Sequence, residues 1–495
     1  MKENELGNKI LNAAKWSTVT EIAAKLVSPI TNMILARILV PEAFGVVATV
    51  TMIVSFAEMF TDAGFQKYLV QREFKNGEER FNNANVAFWT NLGISILLWI
   101  AIFTFREIIA ESVGNPGLGN VIAISSIQLL LTSFSSIQMA LYRREFDFKT
   151  LFIVRMVAVL IPFAVTIPLA LIGLGYWALI IGSITMQLSN ATILTIKSKW
   201  KPQFFFSLII LNEMLSFSIW SLIEAISIWL TIWADTFVIG NVLNQYYLGL
   251  YKTSTSMVNS LMALITGSTT PVLFSTLSRL QNDEVKFNCM FLKFQRLISI
   301  IVFPLGVGVY LYRDLATKIL LGSQWSEASG IIGIWALTSS VMIVFGNYCS
   351  ELYRARGMPK LSFIAQLLHL IVLVPACIIS SKHGFWALVY TRSLIRLQFI
   401  LVHLIIMKLV VKFPILRIFK NVFPTFVSAV AMGIFGYFLL QISESILWNI
   451  FSIVLCVIFY FGILFLFPNT RKEILRLTEK VVPKKYLYKF KFLHN

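Results

Sequence analysis

The chain has 495 residues, of which 57% are hydrophobic and only 13% are Asp, Glu, Lys or Arg. A soluble protein of this length could not bury so large an apolar fraction, so the composition excludes a soluble globular protein and predicts an integral membrane protein. The net charge of +18 could suggest nucleic acid as a partner. In a membrane protein it instead indicates cytoplasmic loops rich in Lys and Arg, and we expect no nucleic-acid binding.

Apolar runs of the length needed to cross a bilayer follow one another along the chain. A span needs about 20 apolar residues, and on that basis we predict an all-α polytopic protein with about fourteen transmembrane helices. We number them spans 1 to 14, near residues 16–39, 44–65, 84–105, 119–142, 151–171, 175–197, 214–240, 248–274, 291–312, 330–353, 361–380, 384–407, 422–442 and 446–467.

The loops between these spans predict their orientation. With the N-terminus inside, nearly all Lys and Arg residues of the loops fall on the cytoplasmic side, including those of the basic tail at 469–495. Positively charged loops remain in the cytoplasm. We therefore expect both termini to be cytoplasmic.

Three pairs of segments indicate an internal repeat. "LYRREFDFKTLF" (141–152) resembles "LYRARGMPKLSF" (352–363), "GYWAL" (175–179) resembles "GFWAL" (384–388), and "ILARILVPEAFG" (34–45) aligns with "VIGNVLNQYYLG" (238–249). The three separations are nearly equal, which predicts two six-helix lobes of the same orientation, 1–200 and 201–412, followed by spans 13 and 14 in 413–468. Parallel repeats of this kind build transporters, and we expect the lobes to form a V around a central cavity.

The turn between spans 1 and 2 lies in one of these repeated segments. Pro41 suits the first turn of span 2, and Glu42 is favourable at a helix N-terminus. Gly45 and its counterpart Gly249 are predicted to let neighbouring helices approach closely.

Several motifs resemble those of the oligosaccharide-lipid flippases, the O-antigen and exopolysaccharide (Wzx-type) exporters of the MATE-like MOP superfamily. They are "ILARILVPEAFGVVATV" with "TDAGFQKYLVQR", "ADTFVIGNVLNQYYLGLY", "ILLGSQWSEA" and "GYWAL". The resemblance covers nearly the whole chain. It implies an alternating-access transporter in the bacterial inner membrane that moves undecaprenyl-pyrophosphate-linked sugar units, with the polysaccharide polymerase machinery as a candidate partner and no cofactor.

Cations within the spans are the candidate substrate-binding residues, because a charge at membrane depth is costly and is retained for function. They are Lys25, Arg37, Lys252, Arg392 and Arg396. Arg392 and Arg396 share one helix face, and guanidinium groups match the oxygens of a pyrophosphate. Pairing of these arginines with Glu224 or Glu58 is the alternative. Lys25 could equally be neutralised by Glu21 one turn away, and Arg37 and Lys252 could snorkel to the outer surface.

Acids within the spans are the candidates for coupling transport to an ion. We predict that Glu224 or Asp235, with Glu58 next in order, binds H⁺ or Na⁺ and exchanges that cation for a partner such as Lys25 or an arginine of span 12. A permanent salt bridge from span 7 to span 1 or 12 is the alternative.

Two other classes of protein are weighed against the flippase. A cation-coupled multidrug antiporter of the MATE-like fold should carry mainly acids in its cavity, whereas spans 1 and 12 carry an excess of cations. A membrane-embedded sugar polymerase or transferase should show catalytic residues in a long outer loop. No such loop, metal motif or catalytic grouping is evident, so we expect neither enzymatic activity nor a metal site.

Overall fold

The structure is a computed structural model that describes residues 16, 20, 23–25, 27–62, 64–468 and 470–471. The side chains of Asp62, residues 217–221, Glu224 and Ser268 lie outside this description. Helices account for all of the regular structure in the described residues, and no β-strand occurs there. The all-α class expected from the composition is confirmed.

The helices follow the apolar runs of the sequence. In chain order they are α1 (27–38), α2 (Pro41–Asp62), α3 (Phe65–Gln71), α4 (Gly77–Thr104), α5 (Arg106–Ser112), α6 (Gly119–Ser125), α7 (Gln128–Arg144), α8 (Phe148–Ile161), α9 (Ile167–Leu171), α10 (Tyr176–Lys197), α11 (Leu208–Val242), α12 (Gln245–Arg279), α13 (Glu284–Leu311), α14 (Arg313–Leu320), α15 (Ala328–Met342), α16 (Tyr348–Ala355), α17 (Lys360–Ser381), α18 (Phe385–Leu409), α19 (Ile415–Leu440) and α20 (Ile446–Phe465).

Within the described residues, 13 helical segments are long and apolar enough to cross a membrane. They coincide with predicted spans 2 to 14. Predicted span 1, near 16–39, lies partly outside the described residues, where 27–38 is helical. The total of fourteen therefore stays a prediction, while the multi-pass membrane fold is confirmed.

Polar residues at the loop ends set where several helices begin. Each of them accepts a hydrogen bond from the backbone N–H three residues ahead, which satisfies one of the donors that a helix leaves unpaired at its start. The side chains that cap in this way are Asn76, Asp147, Ser207, Asp283 and Ser445.

Three of the spans are interrupted. The span Gly119–Arg144 breaks between α6 and α7 at Ser126 and Ile127, and π-helical turns occupy Pro162–Thr166 and Ile343–Asn347. Interruptions of this kind cluster at functional sites, because they aim backbone carbonyls and side chains away from the regular helical ladder.

The helices group into two compact units. Unit 1 contains residues 1–267, 317–331 and 363–395, and unit 2 contains residues 268–316, 332–362 and 396–495. One core of unit 1 gathers Phe65, Leu69, Phe88 and Trp200. In unit 2, α19 packs between α13 and α20, and the Tyr460 hydroxyl donates to the Ile300 carbonyl at 3.0 Å. The division into two six-helix lobes remains a prediction.

Within unit 1, α2 and α12 cross at two glycines. A Cβ placed on Gly45 would collide with the carbonyl of Gln245, and one placed on Gly249 would collide with the carbonyl of Pro41. The predicted close approach at Gly45 and Gly249 is confirmed. The two contacts are also reciprocal, because Gln245 is the repeat counterpart of Pro41, and reciprocal contacts are what a local twofold relation produces.

Candidate functional site

The most deeply buried ion pair of the described residues joins α11 to α18. Arg392 Nε donates to Asp235 Oδ2 at 2.8 Å, and the two residues are 8% and 3% exposed. The Tyr251 hydroxyl of α12 donates to the same Oδ2 at 2.8 Å. Thr231, one turn before Asp235 on α11, offers its carbonyl to Arg392 Nη2 at 3.3 Å. Three helices of unit 1 are therefore tied together at one carboxylate.

A second cation lies beside this pair. Lys252 Nζ donates to the Ile232 carbonyl at 3.2 Å and to Thr236 Oγ1 at 3.1 Å, and it stands 3.9 Å above the ring centroid of Trp233. Among the described residues, no carboxylate lies within ion-pair distance of Lys252. The cluster of Asp235, Arg392 and Lys252 thus carries one negative and two positive charges, a residual positive charge among apolar spans.

Arg396, one turn after Arg392 on α18, has a different environment within unit 2. Its guanidinium lies 3.4 Å over the ring of Trp335, and its Nη1 donates to Ser339 Oγ at 2.5 Å. Both partners belong to α15. The guanidinium stacks flat on the indole face and keeps its charge. The cation–π contact offsets the free energy that the group loses when water is removed from it.

The pairing of Arg392 therefore differs from the sequence-based expectation. That expectation took Arg392 and Arg396 as two unpaired cations, with Glu224 or Glu58 as alternative partners. Arg392 is paired, and its partner is Asp235. This pairing does correspond to the predicted contact between a span 7 acid and a span 12 arginine. The side chain of Glu224 lies outside the described residues, as does Glu21.

The two candidate cations of span 1 have contacts of their own. Lys25 Nζ lies against α12, where it fills the space that a Cβ on Gly267 would take. Arg37 is exposed at the end of α1, and its Nη2 donates to the Ile319 carbonyl of α14 at 2.9 Å.

The motif "ILLGSQWSEA" closes the end of α1. Trp325 Nε1 donates to the Ala36 carbonyl at 2.7 Å, and Gln324 Nε2 donates to the carbonyls of Ala36 and Leu39 at 2.6 and 3.1 Å. These carbonyls have no partner within α1 because the helix ends there. Near the end of α11, the Gly240 carbonyl lies against Gly114, where an added Cβ would collide with it. The motif thus acts as a cap, a role that its sequence alone did not indicate.

Glu58 is the remaining described acid among the coupling candidates. It is half-buried on α2, and its Oε1 lies 3.2 Å from Thr132 Oγ1 of α7. No Lys, Arg or His of the described residues lies within ion-pair distance of its carboxyl group. Gln187 of α10 approaches the same hydroxyl, with its Nε2 at 3.5 Å.

Sequence reasoning missed the neutral partners in these clusters. Tyr251, Thr132, Trp335 and Ser339 carry no charge, and nothing in a single sequence separates them from ordinary residues of an apolar helix. The one available signal for a neutral partner was that Tyr251 directly precedes Lys252, a candidate site residue. Within the described residues, no group of three or more His, Cys, Asp or Glu side chains is placed to hold a metal ion.

Comparison with known proteins identifies the family of this chain. A family model described as polysaccharide biosynthesis protein matches residues 34–330, more than half of the chain. The succinoglycan biosynthesis transport protein ExoT of Rhizobium meliloti (strain 1021) is 25% identical over 327 residues, which is 66% of this chain and 65% of ExoT, just under two thirds of that protein. The lipopolysaccharide biosynthesis protein WzxC of Escherichia coli (strain K12) is 23% identical over 383 residues, 76% of each chain.

A solved structure supports the same placement at the level of the fold. The lipid II flippase MurJ, in an inward closed conformation, matches with a TM-score of 0.70 and 15% identity over 90% of this chain and 97% of MurJ. At that identity the likeness shows the fold alone. The resemblance to the Wzx-type exporters inferred from the sequence motifs is confirmed, and the chain belongs to the family of polysaccharide biosynthesis proteins.

Proposed function

We propose that this protein is an alternating-access flippase that moves undecaprenyl-pyrophosphate-linked oligosaccharide units across the bacterial inner membrane for the synthesis of a cell-surface polysaccharide. The family match, the biosynthetic roles named for ExoT and WzxC, and the MurJ-like fold all support this function. The protein works as a transporter and not as an enzyme. Both of its termini lie in the cytoplasm, and the polysaccharide polymerase machinery is its candidate partner.

The observation that carries the proposal is the residual positive charge of the cluster formed by Asp235, Arg392 and Lys252. An isolated cation in a membrane span is costly, so an uncompensated one is retained for an anionic ligand. A diphosphate is such a ligand, since its oxygens accept several charge-assisted hydrogen bonds. A drug–cation antiporter would need the opposite balance.

In this proposal, Lys25, Arg392 and Arg396 hold the pyrophosphate, and Arg37 and Lys252 form an outer station during release. The Asp235–Arg392 pair limits how Arg392 can act, because a phosphate must compete with a carboxylate already at 2.8 Å. The described partners of Arg396, Trp335 and Ser339, are both neutral, which distinguishes its environment from that of Arg392.

The proposed coupling ion binds at a carboxylate of span 7. We propose that Asp235 or Glu224 binds H⁺ or Na⁺ when the lipid-linked substrate draws the neighbouring cation away. The Asp235–Arg392 pair supports this scheme, because it supplies one of the two partner states that such an exchange requires. Asp235 would then alternate between arginine and the coupling cation.

Complementation tests the proposal. The gene should restore polysaccharide export to a strain that lacks its own flippase, and the lipid-linked sugar that accumulates without the protein identifies the substrate. An Arg392→Ala, Arg396→Ala double variant should abolish export while the protein still reaches the membrane, as measured by immunoblot of membrane fractions. The matched control is Arg417→Ala, an arginine on the exposed start of α19. Export by the double variant at the wild-type rate would remove both arginines from the mechanism.

A further inference from the structure

The Thr132 hydroxyl has two acceptors within hydrogen-bond distance but only one proton to donate. Thr132 Oγ1 lies 2.9 Å from the Gln128 carbonyl oxygen and 3.2 Å from Glu58 Oε1. A threonine hydroxyl has one proton to donate and two lone pairs that accept. It cannot donate to a carbonyl and to an ionised carboxylate at the same time.

We assign the hydroxyl proton to the shorter of the two contacts, the one with the Gln128 carbonyl. Threonine within a helix commonly donates to the carbonyl four residues earlier, which here is that of Gln128. Thr132 then has only lone pairs to offer Glu58. With the hydroxyl proton assigned to Gln128, the 3.2 Å contact is a hydrogen bond when Glu58 carries a proton and donates it to Thr132 Oγ1.

The surroundings of Glu58 favour the same neutral form. The helices α4, α6, α7, α10 and α11 pack around α2, and α12 crosses it at Gly45. None of their described residues brings a Lys, Arg, His, Asp or Glu side chain to within bonding distance of the Glu58 carboxyl group. The side chains of Asp62 on α2 and Glu224 on α11, both titratable, lie outside the described residues. A carboxyl group in an apolar span without a counter-ion is neutralised rather than left charged.

The pair is not a requirement of the fold. If the separation of 204 residues found for 34–45 is extended to Glu58, it aligns with Met262, and if that of 211 residues found for 141–152 is extended to Thr132, it aligns with Ile343. The second repeat thus forms the equivalent spans with two apolar residues. An acid and a hydroxyl that only one repeat carries, at added cost in a membrane, are retained for a function and not for packing.

We propose that Glu58 is a proton-binding site. The Thr132 hydroxyl is a rotor that turns between Gln128 and Glu58, and its orientation couples the protonation of Glu58 to the hydrogen bonds of α7. With Glu58 protonated, the acid donates to Thr132 and Thr132 donates to Gln128. When the proton leaves, the Thr132 hydroxyl turns to the carboxylate and releases the Gln128 carbonyl. Gln128 is the first residue of α7, directly after the break at Ser126 and Ile127. Loss of one proton therefore changes the bonding at the interruption of this span.

This inference rests on the proposed function for its role in transport, but the proton site itself can be tested without substrate. Purified protein in detergent is titrated while infrared difference spectra record the protonated carboxylic acid. Glu58→Gln, which keeps the shape and a donor, should remove one titrating acid signal. Glu111→Gln, at an exposed acid outside any span, should leave that signal in place. An unchanged acid signal in Glu58→Gln would overturn the proposal.

The rotor is tested by two variants of Thr132. Thr132→Val keeps the shape and removes the hydroxyl, so an ionised Glu58 loses its donor and the acid signal should persist to higher pH. Thr132→Ser restores the hydroxyl and should return the signal to its wild-type range. If valine and serine behave alike, the hydroxyl plays no part and the rotor is disproved.

Transport separates this inference from the proposed function. In proteoliposomes with an undecaprenyl-pyrophosphate-linked oligosaccharide, an imposed pH gradient should change the wild-type rate and should leave the Glu58→Gln rate unchanged. A full response to the gradient in Glu58→Gln overturns coupling at this residue. Failure of the wild type to move any lipid-linked sugar refutes the proposed function instead, and the infrared titration would still report the proton site.

Discussion

The buried pair of Asp235 and Arg392 makes a measurable prediction about stability. Replacing Asp235 by Asn keeps an oxygen that can accept from the Tyr251 hydroxyl but removes the charge that balances Arg392. Breaking a buried pair by removing one partner costs about 3–5 kcal/mol, because the other charge remains buried and uncompensated. The upper part of that range applies here, since Lys252 adds a second cation beside the site.

The double variant reports the interaction between the two residues. Arg392→Gln alone leaves Asp235 without its cation and should also destabilise the protein. Asp235→Asn with Arg392→Gln removes both charges, so its effect should be smaller than the sum of the single effects by about 2–3 kcal/mol, near the upper end of measured couplings between contacting residues.

The assay is a double-mutant cycle on protein purified in detergent, with unfolding followed by tryptophan fluorescence in a denaturant titration. The control is Asp283→Asn, at an exposed pair with Lys286 outside the spans. Asparagine also caps a helix, so this variant should unfold like the wild type. Additive single effects in the cycle, or single variants as stable as the wild type, would refute the reasoning from the buried pair.

Two further predictions concern the contacts at the ends of the spans. Gly249→Ala should destabilise the protein by about 1–3 kcal/mol, because its Cβ meets the rigid Pro41 carbonyl and this overpacking outweighs the gain of roughly 1 kcal/mol in helix propensity. Gly308→Ala on α13, where a Cβ meets open space, should show only that gain in the same denaturant assay. Trp325→Phe keeps a ring beside Phe44, but it loses the bond to Ala36 and leaves a cavity at a fully buried position, so thermal unfolding should report a loss of about 1–3 kcal/mol.

The positions of the spans could be predicted from the sequence because one physical length governs them. A helix must cover about 30 Å of hydrocarbon, and apolar runs of the matching length recur along the chain. The interruptions could not be placed in this way. The break at Ser126 and Ile127 depends on side-chain bonds such as that from Gln128 Nε2 to the Ser125 carbonyl at 3.1 Å, and residues of this kind also occur in unbroken helices.

The charged residues of the site were found from the sequence, but most of their partners were not. Membrane depth alone marks Asp235 and Arg392 as costly, and so both could be named as candidates. Their mutual contact spans 157 residues of sequence, and only the packing of α11 against α18 determines it. The cation–π contact of Arg396 with Trp335 depends in the same way on where α15 lies.

The repeat alignment shows how the two sets of candidates relate to each other. The Glu58 cluster uses spans 2, 4 and 6, through Glu58, Thr132 and Gln187. The counterparts of these residues on spans 8, 10 and 12 are Met262, Ile343 and Arg396. In the predicted repeat, these three positions therefore include an acid in the first half and an arginine in the second. Helical segments occur at all six positions, so the ability to form a helix does not explain the difference. We infer that the difference suits the two tasks of the proposed ion-coupled flippase, since an acid can take up a proton and an arginine can hold a phosphate.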